Sequence, residues 1–427
     1  MSKVKKTYIY EVADQEYAEE LSLCAAKIYS KALSLAWKRY EKGYPISNKT
    51  IREYMDKVYR PKNNFPLHSQ SQQGAYQQYF EAQADYFKAH NKYKKENNQA
   101  KLNELNPPYK TKKYQKVIYK KSAFALKEND NDSYLRISNG RQGEYIKLEN
   151  YDLDQNPIYG ELIYNFNKRK YELHLTVQVE IKDKNYSNDN ILSIDLGQKH
   201  PMVCFNYKTK ETIIYNGGEL NSKIRYRNKE LAKLQNELSH CQKYSKRYRK
   251  LKLAKDKFLG QLKNQIKDIL QKYVSHLIGY CLKNKVSTIV VGDIKGIRES
   301  MKFYKVVNQN LHQWMFRQLK EMLEQSSSYV DINFATQKEQ FTSQSCPKCG
   351  ARHKPQGRNF NCPKCNFSFH RDGIGALNIY RKYQNESLES TSKLIPINDL
   401  ERPQGIRYNP HLKSPIDWNN NPFKEIV

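Results

Sequence analysis

The chain has 427 residues, with 74 Lys+Arg against 44 Asp+Glu and a formal net charge of +30. No apolar run approaches the roughly 20 residues a membrane span needs. The basic N-terminus MSKVKKTYIYEV has no apolar core behind it, so it is not read as a secretory signal.

A surplus of cations this large points to a polyanionic partner rather than to a merely soluble basic protein. The 34 tyrosines are interleaved with the cations, as in PPYKTKKYQKVIYKK (107–121). Lys and Arg neutralise phosphates, and aromatic faces stack bases. A cytoplasmic or nucleoid-associated location is the expectation.

In chain order, TYIYEV (7–12) alternates like a strand. A helical stretch follows over about 15–105. EYAEELSLCAAKIYSKALSLAWKRYEK carries apolar residues at helical spacing, and QSQQGAYQQYFEAQADYFKAHNKYKKENN repeats this with Tyr76, Tyr79, Phe80, Tyr86 and Phe87. That stripe reads as helix packing, with base stacking as the alternative. From about 115 to 183, short alternating runs separated by Asn, Asp and Gly predict an antiparallel barrel or sandwich. The first strand could join it, leaving the helices as an insertion. KDKNYSNDN (182–190) is a linker by composition.

ILSIDLGQKHPMVCFNY then reads as strand, turn, strand, and ETIIYNG as a third strand. A basic helical segment covers about 220–285. Thr288 to Val291 in STIVVGDIKGI predict a buried strand that stops at Gly292-Asp293. LHQWMFRQLKEMLEQ predicts a helix and YVDINFA another strand. The tail after about Tyr383 is polar. It is expected to be extended or partly disordered, with Trp418 as a docking point.

Eight cysteines are present. Cys24, Cys204, Cys241 and Cys281 are scattered and read as reduced thiols. Cys346, Cys349, Cys362 and Cys365 form C-x2-C, twelve residues, C-x2-C, the spacing of a closed tetrathiolate zinc site. His353 and His370 lie near in sequence, but the cysteine set is already complete.

Two acids stand out. Asp195 ends a hydrophobic strand before a turn glycine, and Asp372 starts a helix just after the cysteine group. Either alone could be a turn or cap residue.

SIDLG, IVVGD, FTSQSCPKCG and CPKCNFSFHRDGIGALNI, in that order, resemble the RuvC-type nuclease half of TnpB, the RNA-guided nuclease of insertion sequences. This lineage is related to compact type V CRISPR effectors. The resemblance covers about residues 190–383. It implies an α/β RNase H-like (RuvC) nuclease domain with an inserted zinc ribbon, plus an N-terminal antiparallel β-barrel (wedge) domain carrying a helical recognition insertion. The implied boundaries are 1–14 and 106–185 for the wedge, and 15–105 for the recognition helices. The nuclease would span 186–340 and 368–383, the ribbon 341–367 and the tail 384–427.

Carried over by position, the resemblance makes Asp195 and Asp372 ligands of a two-Mg²⁺ site. The zinc would be structural. The implied partners are a guide RNA and target double-stranded DNA with a short adjacent motif. The second motif departs from the pattern, because Gly292 stands where a glutamate is usual. For the missing carboxylate, Glu324 is the first choice, Glu321 the second and Asp293 the third. Glu299 lies seven residues beyond Gly292. A nuclease-dead, RNA-guided DNA binder acting as a repressor is the alternative function, and a guide-free junction or transposition nuclease is the third.

Overall fold

The computed structural model describes residues 3–44, 47–110, 113–128, 133–141, 143–166, 168–180, 190–293, 315–393, 395, 397 and 400–417. Two compact units divide the chain between Glu180 and Ile181. The expected linker (all but Asn190), Glu299 and Trp418 lie outside the described residues.

The N-terminal unit opens with β1 (Lys3–Glu11) and then α1 (Gln15–Glu41). Asp14 caps α1 by accepting from the Tyr17 N–H at 2.8 Å, Glu16 lies in the first turn, and Lys38 and Arg39 lie in the last. These charges suit the helix dipole. Ala18, Leu21, Ala25, Ile28, Ala32 and Ala36 recur every three or four residues and are buried. Next come α2 (Asn48–Tyr54), a π-turn at Met55–Tyr59, α3 (Arg60–Asn63), α4 (Ser69–Lys95) and α5 (Gln99–Glu104).

The strands that follow are β2 (Val117–Lys120), β3 (Phe124–Glu128), β4 (Ser133–Ile137), β5 (Ile146–Leu148), β6 (Tyr159–Asn165) and β7 (Lys170–Glu180). They do not form one closed barrel among the described residues. They form a four-stranded antiparallel sheet, β1-β7-β6-β2, and a three-stranded one, β3-β4-β5. The chain passes between the sheets at the 3₁₀ turn Lys121–Ala123. The first strand does join the later ones, with Lys3 opposite Glu180.

The C-terminal unit is built on β8 (Ile191–Asp195), β9 (Val203–Asn206) and β10 (Thr212–Asn216). After them come α6 (Gly218–Ser239), α7 (Lys246–Lys283), β11 (Thr288–Asp293), α8 (Phe316–Ser328) and β12 (Asn333–Lys338). The hairpin β13 (Asn359–Asn361) and β14 (Ser368–His370) leads into α9 (Arg371–Tyr383), then β15 (Gln404–Asn409) and β16 (Ser414–Asp417).

Seven of these strands make one mixed sheet, in the order β12-β11-β8-β9-β10-β15-β16. Strands β12, β11 and β8 are parallel neighbours, so their carboxyl ends share one edge. β8-β9-β10 run antiparallel. Within the polar tail, residues 404–409 and 414–417 are paired strands. Ile406 and Tyr408 alternate inward, 2% and 5% exposed, and β15 pairs in parallel with β10.

The two faces of this sheet carry different helices. Leu192, Ile194, Ile289 and Val291 pack with α7 and α8, through Leu270, Tyr273, Leu319 and Leu323. Ile191, Val203, Phe205 and Val290 pack with α9, through Ala376, Leu377, Ile379 and Tyr380. Because strand side chains alternate, every residue at the carboxyl edge is assigned to one face by its parity.

Candidate active site and metal centre

Asp195 shares parity with Ile191 and Ser193, so it faces α9. Ser193 confirms that side by donating its hydroxyl to the Ala376 carbonyl at 2.7 Å. The helix comes unusually close there: a Cβ on Gly375 would lie 2.4 Å from Oδ2 of Asp195. Glycine at 375 is what lets the Asp195 carboxylate rest on the first turns of α9.

Asp372 lies in the first turn of that helix and is buried. His200 Nδ1 is 2.9 Å from its Oδ2, and the Arg358 guanidinium donates to both of its oxygens at 3.2 and 2.9 Å. Burial alone would raise the Asp372 carboxyl. The His200 contact and the Arg358 charge outweigh it and hold the group below the usual carboxylate range.

The β11 strand reaches the same edge at Gly292. Its register continues Val291 opposite Ile194, which sets Gly292 level with Asp195. Gly292 shares the parity of Val290 and faces α9. The space its missing side chain would fill is occupied. An ideal Cβ on Gly292 would be 1.9 Å from Oε1 of Glu339 and 2.6 Å from its Cγ and Cδ.

Glu339 follows the last residue of β12, the parallel neighbour of β11, in which Asp293 pairs with Lys338. Its Oε1 is buried with no hydrogen-bond partner. Burial first, and then the Asp293 charge, push the Glu339 carboxyl up to about 7. Burial raises Asp195 well above its ordinary value, with the Glu339 and Asp372 charges adding to it. Asp195 from β8, Glu339 just after β12 and Asp372 from α9 thus lie near enough at one edge for the Glu339 and Asp372 charges to act on Asp195, while the ligand atoms within 4.8 Å of one another there are those of His200, His370 and Asp372.

The acids chosen for the missing carboxylate lie elsewhere. Glu324 and Glu321 are exposed on α8, which covers the opposite face of the sheet, and Glu321 pairs with Arg317 at 2.9 Å. Asp293 has the other parity and lies 3.7 Å from Lys320 of α8. Glu339, rather than any of these three, is the acid whose carboxylate occupies the space beside Gly292. A signal for it was present: Glu339 is the only acid between Asp331 and Asp372.

The donor set fits a hard divalent cation. It consists of carboxylate oxygens, one of them buried and unsatisfied, and Mg²⁺ favours such oxygens. A bound cation would also relieve the mutual repulsion that raises Asp195.

The cysteines fit a softer ion. Cys346 Sγ lies 3.6 Å from Cys365 Sγ, and Cys349 Sγ lies 3.5 Å from Cys362 Sγ. All four sulfurs lie within 4.8 Å of one another. Tetrahedral Zn–S bonds of ~2.3 Å imply S···S edges of about 3.8 Å. Burial would raise the Cys362 thiol, but the backbone N–H groups of Cys365 and Lys364 bring it down to about 7, favouring the thiolate ligand. His370 is not part of this set, for its ring lies 5.2 Å from that of His200 beside Asp372. Asn378 of α9 donates to the Thr342 and Ser345 carbonyls at 2.7 and 2.8 Å, tying the entrance of the ribbon to the helix that bears Asp372.

The family described as "Probable transposase" (OrfB of IS605) matches residues 174–298, and "Cas12f1-like, TNB domain" matches 316–379. A TnpB-like protein, MJ0751, of Methanocaldococcus jannaschii is 27% identical over 208 residues, covering 48% of this chain and 72% of that protein. A CRISPR-associated endodeoxyribonuclease Cas12f1 from an uncultured archaeon is 25% identical over 242 residues, covering 53% of this chain but only 43% of the relative. Among solved structures, a Cas12f1-sgRNA-target DNA complex shares the fold at a TM-score of 0.57 and 18% identity, over 86% of this chain and 82% of that one. The mini-RNA-guided endonuclease CRISPR-Cas_phi3 gives 0.52 at 13% identity, over 89% and 92%.

Proposed function

Taking as premise that this chain is a TnpB-like protein related to the compact type V effectors, we propose that it is an RNA-guided DNA endonuclease. A guide RNA and a DNA substrate are supported by the +30 charge and by the relatives' names; we further propose that this DNA is double-stranded and carries a short adjacent motif. The carrying observation is Glu339, whose carboxylate fills the place left free at Gly292 beside Asp195.

In this reading Asp195, Glu339 and Asp372 hold a pair of Mg²⁺ ions. When bound, such a pair activates water and stabilises the leaving oxygen of a phosphodiester. The chain's own residues supply the rest. Gly375 lets α9 approach until its first turn and the β8 edge share one space. His200 holds Oδ2 of Asp372, which fixes the orientation of that carboxylate. Arg358 sits on the same carboxylate with its side chain 40% exposed, within reach of an incoming phosphate. Cys346, Cys349, Cys362 and Cys365 would hold a zinc with no open coordination position, which would make it a structural support for the segment that carries Arg358 and the start of α9.

A nuclease-dead binder would be the better reading of an incomplete acid set, and the described edge carries three acids. The test is cleavage of a matched DNA by protein purified with its co-expressed RNA in Mg²⁺. Cutting that is lost in Glu339→Gln supports the assignment. Target binding without cutting by the unaltered protein would overturn it.

A further inference from the structure

The aromatic stripe of α4 does two different things. Tyr76, Tyr79 and Phe80 are 3–4% exposed and belong to the core. Two turns later Phe87 is 44% exposed, and Trp37 and Tyr40 at the end of α1 are 44% and 64% exposed. These rings, with Tyr86 and Pro107, line an open cleft of about 280 Å³ within the N-terminal unit. Trp37 and Tyr40 meet edge-on at 5.9 Å, and Tyr86 and Phe87 at 5.4 Å.

Gln83 also lines the cleft, and it is the unusual member. It is 8% exposed, and its Oε1 is buried with no hydrogen-bond partner. Packing does not call for an amide here, since an apolar side chain would avoid the unmade hydrogen bond. A ligand carrying an N–H donor on a flat apolar body would satisfy both the amide and the rings.

Charge narrows the choice. The flanking segments 36–44 and 83–95 carry Lys38, Arg39, Lys42, Lys88, Lys92, Lys94 and Lys95 against Glu41 and Asp85. Two copies of this face would repel each other, whereas a polyanion would be drawn to it.

We propose that the cleft receives one unstacked nucleobase of a bound nucleic-acid strand. The base lies among Trp37, Tyr40, Tyr86 and Phe87 and donates an N–H of its edge to Gln83 Oε1. The flanking cations hold the adjoining phosphates. This site rests on the nucleic-acid partners proposed above, and RNA and DNA are both possible sources of the base.

The full chain reports on it directly. Its three tryptophans are Trp37, Trp314 and Trp418. In a Trp314→Phe/Trp418→Phe background the emission comes from Trp37 alone. Single-stranded rA and dA 12-mers are titrated beside abasic oligomers of equal length and charge. The base-bearing oligomers should quench Trp37 and the abasic ones should not, and the stronger of the ribose and deoxyribose arms identifies the source. By filter binding, Trp37→Ala should weaken the base-bearing oligomer about 5- to 100-fold. Gln83→Leu, which keeps the packing, should weaken it several-fold and leave the abasic oligomer unchanged.

Equal quenching by abasic strands, or unaltered binding in both variants, overturns the cleft while leaving the proposed function standing. A doubled mass by light scattering that Trp37→Ala halves would assign the cleft to a second copy instead. Absence of any salt-dependent nucleic-acid binding removes both proposals.

Discussion

Gly292 and Glu339 share one volume: a Cβ on the glycine would stand 1.9 Å from the glutamate's Oε1. The residues are 47 positions apart in sequence, yet they sit on adjacent parallel strands and face the same helix. The pair is best tested by exchanging it. Gly292→Glu alone should lower cutting, because the new side chain forces the Glu339 carboxylate out of its place. Gly292→Glu/Glu339→Gly moves the carboxylate back to β11 and should restore a measurable rate. If the single variant cuts better than the unaltered protein, the shared-volume account is wrong.

Removal of the acids one at a time separates the faces of the sheet. Asp195→Ala, Asp372→Ala and Glu339→Gln should each lower the cleavage rate by roughly 10²-fold or more, the usual cost of losing one preorganised charge-stabilising group. Glu324→Gln and Glu321→Gln should cut within about twofold of the unaltered protein, since α8 lies across the sheet and surface changes of this kind are near neutral. Single-turnover rates with pre-loaded RNA give the comparison.

The crowded carboxylates also predict how stability depends on pH. Glu339 is raised from 4.5 to about 7, and Asp195 is raised too. A raised acid binds its proton more tightly in the folded state, so its stabilisation is present below the unfolded value and fades as pH climbs through the folded one. Metal-free protein should therefore lose thermal stability between about pH 4.5 and 7 from these groups. Added Mg²⁺ should reverse the trend by favouring the ionised forms. Melting temperatures across that range, with and without Mg²⁺, decide it, and Glu339→Gln should flatten the metal-free slope.

The tetrathiolate should hold one zinc per chain by elemental analysis. Cys349→Ser/Cys365→Ser should lose the metal and most of the cleavage, because the ribbon carries Arg358 and is tied to α9 through Asn378. Zinc-site binding in small domains contributes on the order of 10 kcal/mol to local folding. Protease should accordingly cut within 346–365 in the variant. A double variant that is intact and active would remove the structural role.

How far this was legible in the sequence depended on the range of the interactions. Asp195, Asp372 and the cysteines announce themselves through local context: a strand end, a helix start, a spacing. The helices of the N-terminal unit and the run at Thr288–Val291 follow from periodicity. Glu339 did not show itself this way, because its meaning depends on which strand becomes the neighbour of β11, and the family resemblance drew attention to α8 instead. The parity of Ala335, Gln337 and Glu339 holds the information, but it can be used only once the parallel pairing is known. For a related reason, the two strands within the tail were not marked out. The first of them has few apolar residues, and Ile406 and Tyr408 suffice because β10 supplies a ready edge.

That last pairing sets an order of events during synthesis. Until residues 404–417 have left the ribosome, β10 presents an open sheet edge, and the sheet bearing the acids lacks two of its strands. At ~5–20 residues per second, the span from β11 to β16 takes on the order of ten seconds to be made. Throughout that interval the nascent chain displays an incomplete sheet with an unpaired border, which is open to pairing with another chain. A stop codon placed just before Gln404 should therefore give aggregated protein rather than a trimmed, working nuclease.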